Sequence, residues 1–439
     1  MLMHGTTEVN EQGVLEIGDV AVTELRKKFG SPLLVYDYQE ILNNISKFKE
    51  AVSSYPGKAE IIYASKAFLS KAIAEIIARN DLYMDVVSGG EFARALAGGL
   101  PADRIYLHGN NKSEAELKQA VLAGVNTIIV DNAYEAELLN RLAGKQKLEV
   151  DCLVRLIPGI SAHTHEFIRT GQADSKFGVS IKTGQAKKLI NWIEESRYLN
   201  FKGIHAHIGS QIYDDSAFKE LIWVLIKFMI ELRREDNILV DKLNLGGGFG
   251  VPEKSEDPEI DVVNLVKEIV RELVETCDRE DYPLPVLLLE PGRSIVGTAG
   301  TSLYTVGSIK EIGDLKTYLA VDGGMADNIR PALYGAEYEA MLANRCHDLE
   351  DTEVTIVGKC CESGDILIEN EMLAEPAPGD ILAIPATGAY TYSLSSNYNG
   401  LLRPAVLLVY QGETQVMIAR EKNEDLYKND CNLKLEEGD

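Results

Sequence analysis

The stretch 284–293, LPVLLLEPGR, constrains the possible folds more than any other part of the sequence. Its apolar centre, 286–289, has the pattern of a short strand that is buried on both faces. A carboxylate, a chain stop, a residue without a side chain and a guanidinium follow at once: Glu290, Pro291, Gly292 and Arg293. Charges and glycine at the C-terminal end of an apolar strand are typical of the active-site face of a (β/α)8 barrel. The stretch therefore predicts the last strand of such a barrel.

Seven more apolar runs of strand length precede it, separated by stretches with helical periodicity. The eight predicted strands are 60–66, 82–88, 105–109, 127–132, 150–158, 201–210, 242–248 and 286–293. Gly99, Gly124 and Gly144 follow helical stretches and predict helix ends. Eight strands joined by helices predict a parallel α/β fold closed into a TIM barrel over residues 40–290. An open, doubly wound sheet would be expected to carry a GxGxxG motif after its first strand, and the sequence has none there.

After residue 295 the pattern changes to short, β-branched runs separated by turn residues. These runs are 301–309, 317–322, 353–358, 380–384 and 405–410. They predict a second, mostly β domain formed by residues 291–439 together with residues 1–39, which contribute a strand near Leu33.

Charge and cysteine content limit the classes of partner. The chain has 44 basic and 68 acidic residues, a formal net charge of −24, which argues against nucleic acid and anionic membranes as partners. No apolar run is long enough to span a bilayer, and the N-terminus lacks the basic and apolar regions of a signal peptide. The six cysteines have no regular spacing, so we expect free thiols in a reducing cytoplasm and no metal site.

Lys66 lies at the end of the first predicted strand, on the same face as Ile62 and Ala64. One interpretation is a lysine just beyond the strand that reaches water with its ammonium group. The other is a Schiff-base lysine, whose amine becomes nucleophilic when burial or neighbouring cations lower its pKa.

Two histidines of the sixth predicted strand, His205 and His207, alternate onto one face. A metal pair is conceivable, but no carboxylate or third histidine lies nearby in the sequence. Histidines that pack and form hydrogen bonds, one of them lying flat against a ligand ring, fit the pattern better. His163 and His165 have the pattern of loop residues.

The seventh predicted strand ends in GGGFG at 246–250, and consecutive glycines can form a nest of backbone N–H groups for an anion. The loops after strands seven and eight of such barrels commonly bind phosphate. An amine, an anion nest, a flat imidazole and the carboxylate of Glu290 are what pyridoxal 5′-phosphate requires. A carboxylate at the pyridine nitrogen keeps the ring electron-withdrawing, which suits a decarboxylation.

Nine motifs resemble those of diaminopimelate decarboxylases, a family within the alanine-racemase-fold group of pyridoxal-phosphate enzymes. They occur in the family order over nearly the whole chain and are YASKAF (63–68), DVVSGGE (85–91), AHTHEFIRTGQADSKFG (162–178), HIGSQ (207–211), GGGFG (246–250), EPGR (290–293), VDGGMADNIRPALYGA (321–336), CESGD (361–365) and GAYTYSLSSNYN (388–399).

The resemblance implies a role for each matching residue. Lys66 would carry the cofactor, His207 would stack on its ring, and Glu290 would pair with the pyridine nitrogen. The other cofactor-binding residues would be Ser210, Gly247, Pro291, Gly292, Arg293 and Tyr390, of which Ser210, Gly247, Gly292 and Tyr390 hold the phosphate. The substrate-binding residues would be Arg293, Arg330, Tyr334, Glu362 and Tyr390.

The resemblance further implies a homodimer whose second domains complete the active sites, with Cys361 and Glu362 supplied by the partner subunit. Glu362 can accept the distal ammonium of the substrate, and Cys361 is the candidate proton donor. A buried, structural thiol is the alternative for Cys361, and Cys360 is taken as structural.

The expected reaction is that of a carboxy-lyase of lysine biosynthesis. It converts meso-2,6-diaminopimelate to L-lysine and CO2 through an external aldimine and a carbanion or quinonoid intermediate. Decarboxylases of the same fold that act on ornithine, arginine or carboxynorspermidine are the first alternative, although they would leave Arg330 without a role. An amino-acid racemase would instead be expected to carry an arginine at the position of Glu290. A non-catalytic pyridoxal-phosphate carrier would not be expected to retain Lys66, Cys361 and a full second domain.

Overall fold

The computed structural model describes residues 2–160 and 175–433. The chain forms two compact units, one of them Gln39–Ala299 and the other Met1–Tyr38 with Gly300–Asp439. In the part of the chain that is described, no helix is long and apolar enough to cross a membrane.

The unit Gln39–Ala299 contains eight parallel strands that close into a barrel. We number them one to eight in chain order: Ala59–Ala64, Tyr83–Val86, Ile105–Leu107, Thr127–Val130, Val150–Ile157, Leu199–His205, Lys242–Asn244 and Val286–Leu289. Neighbours in this order are hydrogen-bonded, and strand eight also pairs with strand one, with Leu289 opposite Ile61. The prediction of a TIM barrel whose last strand is 286–289 is confirmed. A short additional strand, Val179–Ser180, pairs with strand five.

Helices connect the barrel strands, and several begin at residues whose side chains cap them. Ser70, Ser88, Asn132 and Asp261 each accept a backbone N–H, and Ser113 forms a capping box with the third residue of its helix. The helices of this unit are Tyr38–Val52, Lys71–Arg79, Gly89–Ala97, Glu114–Ala123, Ala133–Gln146, Gln185–Glu194, Ser216–Glu231, Val262–Arg279 and Arg293–Val296, with a 3-10 turn at Ala102–Arg104 and a π-helical turn at Leu232–Asp236.

The predicted helix ends are partly correct. Gly124 ends its helix in the left-handed conformation, as expected of a glycine cap. The prediction for Gly144 is wrong, because its helix continues to Gln146. A Cβ on Gly144 would lie 2.8 Å from the ring of Tyr198, so this glycine permits close packing inside the helix. The helix before Gly99 ends one residue earlier than predicted, at Gly98.

The barrel interior is filled by side chains from several of its strands. One cluster is formed by Ile62, Tyr106, Ile129, Leu153 and Leu288, each at most 1% exposed. Such packing makes the barrel a solid core, so its functional groups lie at the strand ends.

The other unit is mostly β. Its strands are Glu8–Val9, Leu15–Ile17, Val20–Ala21, Leu33–Asp37, Gly300–Ile312, Lys316–Val321, Met341–Leu342, Thr352–Val357, Ile366–Leu373, Ile381–Ile384, Ala405–Tyr410 and Glu413–Ile418. The strand Gly300–Ile312 is central, since it pairs antiparallel with Leu33–Asp37, Lys316–Val321 and Ile381–Ile384. Its helices are short: Val22–Phe29, Arg330–Tyr334 and Asn423–Tyr427, with 3-10 turns at Tyr392–Leu394 and Tyr398–Gly400.

Two apolar clusters cover the faces of this sheet. One includes Leu15, Leu25 and Leu407, and the other includes Tyr304, Leu319 and Ile356. The N-terminal segment is therefore part of the core of this unit.

Candidate active site

Four barrel strands carry a polar side chain at their C-terminal ends, and these four side chains meet. They are His108 after strand three, His205 and Asn244 as the last residues of strands six and seven, and Glu290 after strand eight. All four are buried. The carboxyl ends of parallel barrel strands lie at one end of the barrel, which is why residues so far apart in sequence converge.

The carboxylate of Glu290 is held from several sides. Asn244 donates its side-chain N–H to Oε1 at 2.8 Å, and His205 Nε2 lies 3.1 Å from Oε2. His108 Nε2 lies 3.0 Å from Oε1, but the ring N–H is not aimed at this oxygen, so we interpret the contact as mainly electrostatic. Oε1 thus has two contacts and Oε2 has one, which leaves Oε2 able to accept from one more donor.

Glu290 is ionised and His205 is neutral at neutral pH. Burial would raise the pKa of Glu290, but His108 and His205 together bring that pKa well below its usual range. Burial lowers the pKa of His205 to about 4, against the opposing influence of Glu290. An ionised carboxylate can only accept, so the single proton of the His205 ring lies on Nε2. Its Nδ1 is buried and has no partner among the described residues, as an unprotonated nitrogen in an apolar setting would be.

Asp85, on strand two, is a second buried carboxyl group at this end of the barrel. It accepts a hydrogen bond from the backbone N–H of Ser65 at 3.1 Å. The pKa of Asp85 is raised to about 7, because burial and the charge of Glu290 outweigh the opposing charges of His108 and Lys66. Two neighbouring carboxyl groups therefore differ in proton affinity, which is a common arrangement in active sites.

Lys66 and His207 lie close enough to share this electrostatic environment. Lys66 follows strand one by two residues and is exposed, whereas His207 follows strand six by two residues and is half-buried. Burial, followed by the charge of Lys66, holds the pKa of His207 well below its usual range, and Glu290 opposes this shift. His207 is therefore an uncharged ring at neutral pH, with Lys66 and Glu290 as electrostatic neighbours.

The glycine run after strand seven is required by close packing of three loops. A Cβ on Gly247 would lie 2.0 Å from the carbonyl oxygen of Glu290. A Cβ on Gly248, whose φ is +103°, would lie 2.2 Å from the carbonyl oxygen of Gly209. Only glycine fits at these two positions, because the obstructing atoms belong to the backbone.

The same run leaves backbone donors available. Among the described residues, the N–H groups of Gly247 and Gly248 make no hydrogen bond, whereas the N–H of Gly246 is bound to Asn244 Oδ1 at 2.8 Å. Two consecutive N–H groups without protein acceptors form the kind of nest that binds an anion.

Arg293 and Ser210, both assigned to the cofactor by the sequence, lie together. Arg293 donates to Glu253 at 2.7 Å and approaches Ser210 Oγ at 3.4 Å. Arg293 and Glu253 are both buried. Glu253 was not predicted, and it supplies the negative charge that stabilises the buried guanidinium.

Pro291 and Gly292 connect the ends of strands eight and one. The backbone N–H of Ala64 donates to the carbonyl of Pro291 at 3.0 Å. A Cβ on Gly292 would lie 2.8 Å from the Cβ of Ala64. These contacts bring the loop that contains Glu290 close to the loop that contains Lys66.

In the β unit, Arg330 begins the helix Arg330–Tyr334 and is buried. Its guanidinium donates to the hydroxyl of Tyr338 and lies 5.4 Å from the centre of that ring. Tyr334, at the end of the same helix, is half-buried.

Tyr390 is the conformational outlier among the predicted residues. Its φ is +61°, in the left-handed region that aromatic residues seldom adopt, and its side chain is half-buried. Strained backbone of this kind is concentrated at binding and catalytic sites.

Cys361 and its neighbour Cys360 have opposite environments. Cys361 is exposed, and its backbone N–H donates to Asn399 Oδ1 at 2.6 Å. Cys360 is buried, and its backbone N–H donates to Asp365 Oδ2 at 2.8 Å. Glu362 is also exposed. The alternative of a buried, structural thiol therefore applies to Cys360 and is wrong for Cys361.

Part of this site was not predicted from the sequence. No carboxylate or third histidine was expected near His205 and His207, and this is wrong, because Glu290 forms a hydrogen bond with His205 and His108 packs against it. Asn244 was not singled out either, although only Leu245 separates it from the glycine run. His163 and His165 lie outside the described residues.

Comparison with protein-family models places the barrel in a known class. Residues 39–297 match the model "Pyridoxal-dependent decarboxylase, pyridoxal binding domain".

Comparison with individual proteins extends the match to nearly the full chain. The diaminopimelate decarboxylase of Bacillus subtilis (strain 168) is 46% identical over 434 residues, which are 99% of each chain. That of Staphylococcus aureus (strain COL) is 41% identical over 97% of this chain and 99% of that protein. A crystal structure of the M. jannaschii diaminopimelate decarboxylase with L-lysine has a TM-score of 0.91 at 32% identity, covering 99% of each chain. The chain belongs to the diaminopimelate decarboxylase family of pyridoxal-dependent decarboxylases, and the predicted family, enzyme class and cofactor are confirmed at this level.

The barrel residues fit a pyridoxal phosphate. Glu290 has acceptor capacity left on Oε2 for a protonated ring nitrogen, and the free N–H groups of Gly247 and Gly248 suit a phosphate. His207 offers an uncharged ring, and Lys66 offers an accessible amine. The donors and acceptors present match those that this cofactor requires.

Proposed function

We propose that this chain removes CO2 from meso-2,6-diaminopimelate to give L-lysine, with pyridoxal phosphate bound at the C-terminal end of its barrel. The observation that carries the proposal is the ionised, buried carboxylate of Glu290, held in one orientation with acceptor capacity left on one oxygen. The near-full-length similarity to diaminopimelate decarboxylases of several organisms supports the choice of substrate.

Pyridoxal phosphate supplies an electron-withdrawing ring that accepts the electrons released as a carboxylate departs. The chain's part is to keep that ring protonated and in place. Glu290 binds the ring nitrogen, because a carboxylate of depressed pKa leaves the proton on its partner. His207 packs on the ring face, and Lys66 provides the amine for attachment.

We assign the phosphate to Ser210, Gly247, Gly292 and Tyr390. The free N–H groups at the glycine run and the hydroxyl of Ser210 support this assignment. Arg293, whose charge is balanced by Glu253, lies next to Ser210 and adds a positive charge near the assigned phosphate position.

We assign the far end of the substrate to Arg330, Tyr334 and Glu362, with Arg293 and Tyr390 as further contacts. Diaminopimelate carries an ammonium and a carboxylate at that end, where ornithine carries only an ammonium. A guanidinium binds a carboxylate through two parallel hydrogen bonds, so Arg330 selects for diaminopimelate over ornithine and arginine.

Cys361 then returns a proton to the carbon that has lost CO2. The thiol and the neighbouring Glu362 are exposed within their own unit, which supports their supply to the site of a partner subunit in a homodimer. We also propose a cytoplasmic location, consistent with six cysteines that are all free.

Release of CO2 from meso-diaminopimelate, measured beside L-ornithine and L-arginine, tests the function. We expect turnover of diaminopimelate alone. Preferred release from ornithine or arginine would show instead a decarboxylase for a cationic substrate, and racemisation without CO2 would show a racemase.

A further inference from the structure

The proposed reaction leaves the two histidines around Glu290 without a role. His108 and His205 come from different strands, and their rings are 5.0 Å apart at an interplanar angle of 79°. Each places Nε2 within 3.1 Å of a different oxygen of the same carboxylate. The edge-to-face contact braces the rings against each other, and together with Asn244 they prevent rotation of the carboxylate.

A neutral hydrogen-bond partner stabilises a carboxylate without cancelling its charge. His205 is neutral over the physiological range, because burial lowers its pKa to about 4. An arginine or lysine in its place would form an ion pair and use up the negative charge. Of the other charged groups that face this region, Arg155 and Lys66 are cations, while Asp85 has a pKa raised to about 7 by burial and is only partly ionised near neutral pH.

We propose that His108 and His205 are positioning residues that keep Glu290 ionised and aimed at the cofactor's ring nitrogen, and that His205 does so without cancelling the charge of the carboxylate. The proposal rests on the assignment of Glu290 to the ring nitrogen. Both histidines act through Glu290 and neither touches the reacting carbon. Asn244 fixes Oε1, His205 fixes Oε2, and His108 supplies the second electrostatic contact to Oε1.

The same three side chains could also be regarded as metal ligands. The ligand atoms of His108, His205 and Glu290 lie within 4.8 Å of one another. The direct hydrogen bond between His205 and Glu290 favours the positioning role, since a shared metal would replace it. Metal binding is therefore an outcome that the experiment must be able to detect.

The test compares paired variants of the purified holoenzyme. His108→Leu and His205→Leu remove the ring nitrogen, whereas His108→Gln and His205→Gln keep a donor near the position of Nε2. His347→Leu makes the same change at an exposed histidine of the β unit and is the control. Removing a side chain that orients a ligand typically weakens binding about 10- to 100-fold, and we expect this loss of pyridoxal phosphate affinity in both leucine variants.

The expected spectroscopic result is a change in the pH dependence of the bound cofactor's visible absorbance in the leucine variants, with substantial recovery in the glutamine variants and none in the control. Unchanged affinity and absorbance in the leucine variants would overturn the proposal. So would glutamine variants as impaired as the leucine variants, or stoichiometric zinc binding by the cofactor-free protein that is lost with His108→Leu.

Two further measurements test the proposal if a variant fails to fold or if Glu290 does not bind the ring nitrogen. If a leucine variant does not fold, nitrogen NMR of histidine-labelled wild-type protein still decides, because we expect His205 to stay protonated on Nε2 alone from about pH 6 to 8. Titration of that ring near its ordinary pKa would contradict the proposal. Glu290→Gln separates failure of the proposed function from failure of this inference. If the variant leaves the cofactor absorbance unchanged, the assignment of Glu290 to the ring nitrogen is wrong. If Glu290→Gln changes the absorbance but the histidine variants do not, only the positioning role of the histidines is rejected.

Discussion

Two carboxylates of this chain, Glu290 in the barrel unit and Glu362 in the β unit, have opposite surroundings. Glu290 is 7% exposed and is held by Asn244, His205 and His108. Glu362 is exposed, and among the residues that the structure describes its side chain has only long hydrogen bonds, to Ser363 at 3.4 Å and Tyr398 at 3.5 Å.

This difference in burial suggests that the barrel unit binds the cofactor and that Cys361 and Glu362 take part in the reaction of the substrate. A carboxylate fixed by its own unit can orient a cofactor before any substrate arrives. The exposed side chains of Cys361 and Glu362 are not held in one orientation by their own unit. They can act on a substrate selectively only when a second protein surface packs against them. The comparison therefore predicts that damage in the barrel removes the cofactor, whereas damage at 361–362 spares the cofactor and slows the reaction.

The largest effect is expected from Lys66→Ala, which removes the amine that attaches the cofactor. Activity should be lost together with the visible absorbance of the bound cofactor, as measured by CO2 release and spectroscopy. Lys71→Ala, at an exposed lysine nearby in the sequence, should change neither. A Lys66→Ala protein that kept wild-type turnover would remove the basis of the assignment.

Cys361→Ala tests the other side of the comparison. Loss of a proton donor typically slows turnover about 10²- to 10⁴-fold, so kcat should fall by that order while pyridoxal phosphate affinity stays unchanged. The buried neighbour gives the matched control, and Cys360→Ala should leave kcat within a few-fold of the wild type. Equal losses of kcat and cofactor affinity in Cys361→Ala would show that the thiol is structural.

Arg330→Gln should weaken recognition of the substrate's distal carboxylate. Truncating one partner of a buried, hydrogen-bonded charge pair costs about 2–5 kcal/mol, so we expect kcat/KM for diaminopimelate to fall roughly 100-fold, mainly through KM. Tyr338→Phe removes a partner of Arg330 but keeps the guanidinium, and it should have a much smaller effect. Unchanged kinetics in Arg330→Gln would place the distal carboxylate elsewhere.

The smallest expected effect concerns stability and pH. The folded pKa of His205 is about 4, below the ordinary 6.5, so the unfolded chain takes up a proton that the folded chain does not. His205 therefore lowers stability as pH falls from 6.5 to 4, by roughly 3 kcal/mol in total. Asp85, with a raised pKa, has the opposite slope, so only the difference between proteins is informative.

Chemical denaturation of the wild type and of His205→Gln between pH 4 and 6.5 measures the contribution of His205 to the free energy of unfolding. The stability of the wild type relative to the variant should increase as pH rises from 4 to 6.5. A constant difference would mean that His205 titrates alike in the folded and unfolded chains. The depressed pKa of Glu290 adds stability that is lost only at lower pH, as this carboxylate takes up a proton.

The sequence predicted the fold well because the barrel depends on local patterns. Most of the eight strands lie in short runs rich in apolar residues, and the last of them, Val286–Leu289, is followed by the charged EPGR segment as predicted. The helix end predicted at Gly144 was wrong for a tertiary reason. Glycine is required at this position because the backbone packs against the ring of Tyr198, and not because a helix ends there. A contact between residues of different helices or strands produces no pattern in the local sequence from which it could be predicted.

The site was predicted less completely for the same reason. Lys66, His207 and Glu290 could be found because each ends a strand in a distinctive motif. His108 and Asn244 also lie at strand ends, but their partner is Glu290. For Asn244 this follows from the pairing of strands seven and eight, and for His108 it follows only from the closure of the barrel. Glu253 balances Arg293 across a separation of 40 residues, and nothing in the intervening sequence indicates it. Polar residues at the ends of several barrel strands were the available signal, and only some of them were used.

The most direct test of the account mixes two inactive proteins. Lys66→Ala lacks the cofactor attachment, and Cys361→Ala lacks the proton donor. If Cys361 serves the site of a partner subunit, random reassociation into symmetric dimers gives one intact site in half of the molecules, and activity should return to about a quarter of the wild-type level. If activity stays at the level of the separate variants although mixed dimers have formed, each site uses its own Cys361 and the division of labour between subunits is contradicted.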